Sequence, residues 1–320
     1  MRVLKHRVRG KRALKVCDTD QVRRNSSVLL FVALLPLAIM VWSYWPVITN
    51  LFNDWQTSDD YSAGQLVPIV ALFLFWRERK LLREYSLVPC WWAGISLLLL
   101  AEAASIHQFL AGGHPSIERY LMIFALTGLV LLVAGWQIFK AVKWILLFLF
   151  LMIPLPGRVH NLISGPLQTI ATTGSVFLLE AFGVTVSRQG NVIMLNEITP
   201  MAVAEACSGL RMMTAFVIVA AFMAYMVKRS RLKKTILLFS SIPVAVMCNI
   251  VRLCVTAVLF MIASSELAEK FFHDFAGLVM MPVAVMLMFA ELWLLDKIIE
   301  REPTEAKPQK NMKKATAWAK

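Results

Sequence analysis

Apolar runs about as long as a bilayer is thick recur along this chain, and they constrain its fold more than any other feature. A helix crossing the roughly 30 Å hydrocarbon core needs about 20 apolar residues. Such runs lie near residues 27–47, 65–76, 90–110, 119–139, 142–156, 207–227, 235–262 and 275–295. The second and fifth are short, and Pro154 and Pro156 close the fifth. Inside hydrocarbon each backbone N–H and C=O must be satisfied locally, so these runs are expected to be helices. Hydrophobic residues fill 58% of the 320 positions and the mean hydropathy is +0.66, beyond what a soluble domain carries. The expected fold class is an all-α polytopic membrane protein with about eight transmembrane helices.

The net charge of +13 is not spread evenly. Basic residues gather in 1–24, in Arg77-Glu78-Arg79-Lys80, at Lys140 and Lys143, from Lys228 to Lys234, and from Lys297 onward. The loops between them, Asn53 to Asp60 and Glu266 to Asp274, are neutral or acidic. Lys and Arg bias loops to the cytoplasm, so the alternation predicts eight spans with both termini inside. The implied division is a basic cytoplasmic tail at 1–26, a transmembrane domain at 27–296 and a second basic cytoplasmic tail at 297–320. The first tail is too long and too charged for a simple cleavable signal. No basic groove with interleaved aromatics is present, so no nucleic-acid partner is expected.

Residues 157–206 break the pattern. The piece 162–182 is apolar but holds Gly165, Pro166, Gln168, Gly174 and three threonines. A full crossing there would place Lys228 to Lys234 outside, against the charge rule. The expectation is a re-entrant or interfacial helix on the outer face, followed by a short β-like segment at 184–195.

Three residues stand where an apolar run would prefer Leu: Cys207, Arg252 and His273. The 207–227 span ends at the basic Lys228 to Lys234 loop, so Cys207 lies at its outer end. The 235–262 span runs outward, which puts Arg252 about 15 Å below residue 262 at 1.5 Å per residue. His273 opens the last span, again on the outer side. A thiol at a helix N-terminus beside a cation is disposed to ionise. A nearby His can take the thiol proton and return it to a leaving amine. A buried guanidinium can hold an oxyanion. Together these residue types suit cysteine acyl transfer.

Each also has a plainer reading: a small apolar Cys, an interfacial His, an Arg paired for structure. Arg252 is the hardest to dismiss, because an intramembrane Arg costs about 2.5–3.5 kcal/mol on insertion scales. Asn249, three residues earlier on the same face, can orient it. Arg211, four residues after Cys207, competes for the cationic role, and Glu205 can pair with either Arg as a structural salt link. Cys17, Cys90, Cys248 and Cys254 show neither disulfide nor ligand spacing. His107, His114 and His160 lie near the outer surface without ligand partners, so neither metal nor cofactor is expected.

The run AEACSGLR around Cys207, then Asn249-Ile250-Val251-Arg252, then His273, with spacings of 45 and 21 residues, resembles the exosortase/archaeosortase family. Tyr61 to Pro68 with Trp76-Arg77, Ile153 to Pro156, and Gly165 to Gln168 agree with it. The likeness spans roughly residues 28–296. The chain departs at Ala63, where many members carry His, and that position is given no catalytic part. The resemblance implies a bacterial inner-membrane cysteine peptidase or transpeptidase with its active site on the periplasmic side. Cys207 would be the nucleophile, Arg252 the stabilising cation and His273 the acid/base, with Asn249, Arg211 and Glu205 in support. Implied partners are secreted proteins ending in a tripartite signal of the Pro-Glu-Pro type, membrane lipid, and exopolysaccharide machinery. A hydrolysis-only intramembrane protease uses the same residues, and a non-enzymatic export or transport protein would leave Cys207 incidental.

Overall fold

The computed structural model describes residues 26–82, 85, 88–112, 115–195, 199–202, 209–262 and 276–298. Its helices are α1 (Ser26–Ser43), α2 (Trp45–Thr57), α3 (Leu66–Leu82), α4 (Trp91–Leu110), α5 (Pro115–Val133), α6 (Gly135–Leu149), α7 (Gly157–Ala181), α8 (Leu210–Met226), α9 (Arg231–Ile262) and α10 (Ala276–Ile298). Three short strands, β1 (Val186–Gln189), β2 (Val192–Leu195) and β3 (Thr199–Ala202), form an antiparallel sheet in that order. The chain is therefore an all-α polytopic membrane protein with one small sheet, which begins within the expected β-like segment at 184–195 and extends past it to Ala202. The tail residues 1–25 and 299–320 lie outside the described residues.

Several helix limits differ from the sequence expectation, each for a local reason. The first apolar run continues as α2 after a 62° bend, because Pro46 opens α2 and has no N–H to continue the ladder of α1. The acidic stretch near Asn53 and Asp54 is thus helical rather than a loop, and a 3₁₀ turn over Asp59–Gln65 follows it. The run expected at 119–139 stops at Val133. Gly135 has φ +80°, and a Cβ there would fall 1.8 Å from the Val88 carbonyl oxygen, so only glycine fits the turn. Helix α6 then starts at Gly135, and Lys140 and Lys143 ride on it with their ammonium groups 5.4 and 5.2 Å from the Trp136 and Trp144 rings. Helix α3 likewise runs through its basic cluster, with Arg79 3.9 Å over Trp76. Long cationic side chains can stay helical here because their stems cover apolar surface while their heads reach out.

Helix α8 is the axis of the bundle. Its Ala215 and Ile218 pack with Leu51, Val67, Leu74 and Ile123, while Phe216, Ala220 and Met223 pack with Leu237, Ala245, Ala284 and Met288. The outside stays apolar: Trp92 and Phe109 on α4 are 90% and 80% exposed. Surface of that kind suits lipid and would be a liability in water.

Contacts along α8 also fix the two ends of the bundle. At its C-terminus Tyr225 donates to Glu78 (3.2 Å) and Met226 meets Arg77, and Lys233 with Arg229 pairs with Asp296 nearby, which defines a basic end. At its N-terminus Thr214 reaches the Asp60 carbonyl (3.3 Å), and Gly209 abuts Asn249 of α9.

Helix α7 is long and apolar enough to be a span by itself, but its contacts keep both of its ends away from the basic end. Near its start His160 meets Tyr61, close to the level of Thr214. In its second half Ser175 reaches the Ile250 carbonyl (3.4 Å), and Ala171 and Leu179 pack with Leu253 and Ala257. A 25-residue helix is about 37 Å long, so α7 lies obliquely across α9 instead of running the depth of the bundle. Gly174 permits the crossing, since a Cβ there would meet Ile250 Cδ1 at 2.7 Å. The sheet caps the same region, with Val186, Ile193 and Leu195 packed on Leu253 and Ala257. Arg188 and Asn191 tie the β1–β2 hairpin to Thr173 (2.6 Å) and Gln168 (2.8 Å) of α7.

Candidate active site

Arg252 lies on α9 with its side chain enclosed; the residue is 5% exposed and Asn249 is 1% exposed. One guanidinium nitrogen donates to Asn249 Oδ1 at 2.8 Å, along the i, i+3 direction that the sequence spacing provides. Thr256 donates to the Arg252 carbonyl (2.9 Å), so the turn above it is held as well. Arg211, in the first turn of α8, stands close enough for the two guanidinium charges to repel. The structure thus brings the two rival cations together.

The entry to α8 explains how. Gly209 has φ +75°, a left-handed conformation that L residues adopt only with strain, and a Cβ on it would come 2.9 Å from Asn249 Nδ2. The chain therefore turns sharply at Gly209 and presses its bare backbone on the amide that orients Arg252. Nothing in the apolar pattern marks this contact; the signal available in sequence was the glycine immediately before a long apolar helix. Strand β3 ends at Ala202, seven residues before Gly209. Cys207, Glu205 and His273 lie outside the described residues.

A second polar cluster was not anticipated. His160, read from sequence only as a residue near the surface, sits with Nδ1 2.8 Å from the Tyr61 hydroxyl and Nε2 3.8 Å from Asp60 Oδ2. The Tyr61 hydroxyl is also 3.4 Å from the Leu155 carbonyl. Burial, reinforced by the Asp60 carboxylate, pushes the Tyr61 phenol up to about 12, so it stays protonated at neutral pH. Thr214 Oγ1 lies within hydrogen-bonding distance of the Arg211 carbonyl (2.9 Å) as well as that of Asp60. Through Thr214 this cluster is joined to the turn that carries Arg211. Between them lies a partly open, mostly apolar cavity of about 150 Å³. Among the described residues no three His, Cys, Asp or Glu side chains converge as metal ligands would.

These features define a class: a multi-pass helical membrane protein that holds paired guanidinium groups away from its basic end, under an oblique helix and a small sheet. The family model for transmembrane exosortases matches residues 55–290, more than two thirds of the chain. The protein belongs to the transmembrane exosortase family. No curated protein and no solved structure matches it significantly.

Proposed function

We propose that this protein is a cysteine transpeptidase of the bacterial inner membrane, with its active site at the periplasmic face. Its substrates are secreted proteins whose C-terminal tripartite sorting signal, of the Pro-Glu-Pro type, includes a membrane helix. Such activity would serve protein export coupled to exopolysaccharide production, with surrounding lipid as the medium through which the substrate helix arrives. The observation that carries this reading is the buried Arg252, oriented by Asn249 against the Gly209 turn. Cys207 is two residues from Gly209, and two trans peptide units reach at most about 7.6 Å between Cα atoms.

The reaction follows from the residue chemistry. The Cys207 thiol gives its proton to His273, and Sγ attacks the scissile carbonyl carbon. Negative charge on the carbonyl oxygen is held by Arg252, with Arg211 adding positive potential. Collapse breaks the C–N bond, His273 returns the proton to the departing amine, and the signal helix leaves. The acyl group remains on Cys207 as a thioester. An acceptor amine then loses a proton to His273 as it attacks, a new amide forms, and the thiol is restored. Glu205 serves as a salt-link partner to the arginines rather than as a chemical participant.

The test is co-expression with a reporter ending in a tripartite sorting signal, comparing wild type with Cys207→Ala. The expected result is loss of the signal helix only with the wild type. Equal reporter size in both strains, across several signal variants, would move the assignment to a transport or scaffold protein. A processed reporter bearing a free carboxyl terminus, whatever acceptor is supplied, would mean hydrolysis rather than transfer.

A further inference from the structure

The cavity between α8 and the turn after α6 has no part in the chemistry just described, yet its place and size are specific. Arg211, Thr214 and Ile218 follow one another at i, i+3 and i+7 and so share one face of α8. Thr214 and Ile218 line the cavity, with Val217 beside them, so it begins one helical turn past Arg211 toward the basic end. Phe150 and Leu155 form the opposite wall, and Tyr61 closes it. That last wall is fixed in place, because the Tyr61 hydroxyl is 2.8 Å from His160 Nδ1. The volume of about 150 Å³ is that of a cavity that accepts a benzene-sized group. It fits one side chain and falls far short of a lipid acyl chain.

We propose that this cavity is a specificity subsite that receives one branched-aliphatic or phenyl-sized side chain of the polypeptide substrate, on the membrane-helix side of the scissile bond. The inference rests on the transpeptidase reading above. Its logic is depth. A substrate cut near the Gly209 turn continues into the bilayer as a helix, and its first apolar residues then pass α8 at the level of Thr214 to Ile218. A preformed apolar recess at that level discriminates by shape, as ligand pockets commonly do.

The experiment uses the full-length protein and reporters that carry Gly, Leu, Phe or Trp in turn at each of the first four positions of the signal helix. Wild-type processing is expected to favour Leu or Phe over Gly at one of these positions by about tenfold or more, the scale set by filling an apolar pocket. Val217→Trp should fill the cavity and bring the Leu-to-Gly ratio at that position close to one. Val217→Ala should enlarge it and shift the preference toward Trp, which keeps the test sharp if the Trp variant accumulates poorly. All rates are normalised to protein in the membrane. A uniform change across every reporter in both variants, or no position at which wild type discriminates, overturns the subsite. Absence of any processing by wild type overturns the transpeptidase reading itself, and that outcome is separate because it appears before either variant is compared.

Discussion

The two ends of this bundle hold their buried cations through different groups. At the basic end Lys233 is 4% exposed and donates to Asp296 Oδ1 at 2.9 Å, while Arg229 takes the other oxygen of the same carboxylate at 2.7 Å. Toward the far end Arg252 is just as enclosed; one of its nitrogens donates to the neutral Asn249 amide, and Arg211 is near enough for the two charges to repel. A carboxylate clamp makes a cation structural, because its charge is already answered. An amide orients a guanidinium, and Arg211 adds a second positive charge near it. An orienting amide fixes where a guanidinium fork points, which is the arrangement an oxyanion donor of the proposed reaction would require.

The largest effect that would break this contrast is at Arg252. Arg252→Gln should lower reporter processing by about 10²–10³-fold, the usual cost of losing an oxyanion donor, with membrane abundance little changed. Arg252→Lys should recover only part of it, since an ammonium lacks the planar fork. Normal processing by Arg252→Gln would make Arg252 a structural cation like Lys233.

Asn249 sharpens the same point with two substitutions of opposite electrostatic meaning. Asn249→Ala removes the orienting bond and should cost about tenfold in rate. Asn249→Asp places a carboxylate where the amide oxygen sits, 2.8 Å from the guanidinium, and should be the less active of the two while being at least as stable to heat. A more active Asp variant would show that added negative charge beside Arg252 does not impair the site.

A smaller effect is expected at the turn. Gly209→Ala must hold a left-handed conformation, costing about 1–2 kcal/mol, and must push Asn249 aside. Processing should fall with a modest loss of thermal stability, and an unchanged rate would show that the turn does not set the position of Asn249. The smallest effect belongs to the basic end. Asp296→Asn should lower the melting temperature slightly and leave the rate per folded molecule unaltered. A rate loss there comparable to that at Arg252 would erase the distinction between the ends.

How much of this was legible beforehand differs between fold and site. The class of the molecule, most helix positions, the strand-like segment before α8 and the pairing of Asn249 with Arg252 follow from local pattern. Each depends on bilayer length, on helical period or on residues three apart, all of which a linear chain carries in itself. Helix limits at Val133 and at α2 were misplaced because they hang on one glycine facing a distant carbonyl and one proline at a bend. The meeting of His160 with Tyr61, residues 99 positions apart, could not be read from spacing at all.

By itself, then, the sequence determined that the chain enters a membrane as helices, which end is basic, and which side chains have unusual chemistry for such a place. Hydrophobicity and charge act residue by residue, so no partner is needed to see them. Only the tertiary structure decided that α7 lies obliquely across the bundle, that Arg211 and Arg252 approach one another, and that a side-chain-sized cavity opens one turn below them. Those outcomes depend on which helix faces fit together, through Gly174 on Ile250 and Gly209 on Asn249, and close packing of that kind belongs to pairs of elements rather than to either one.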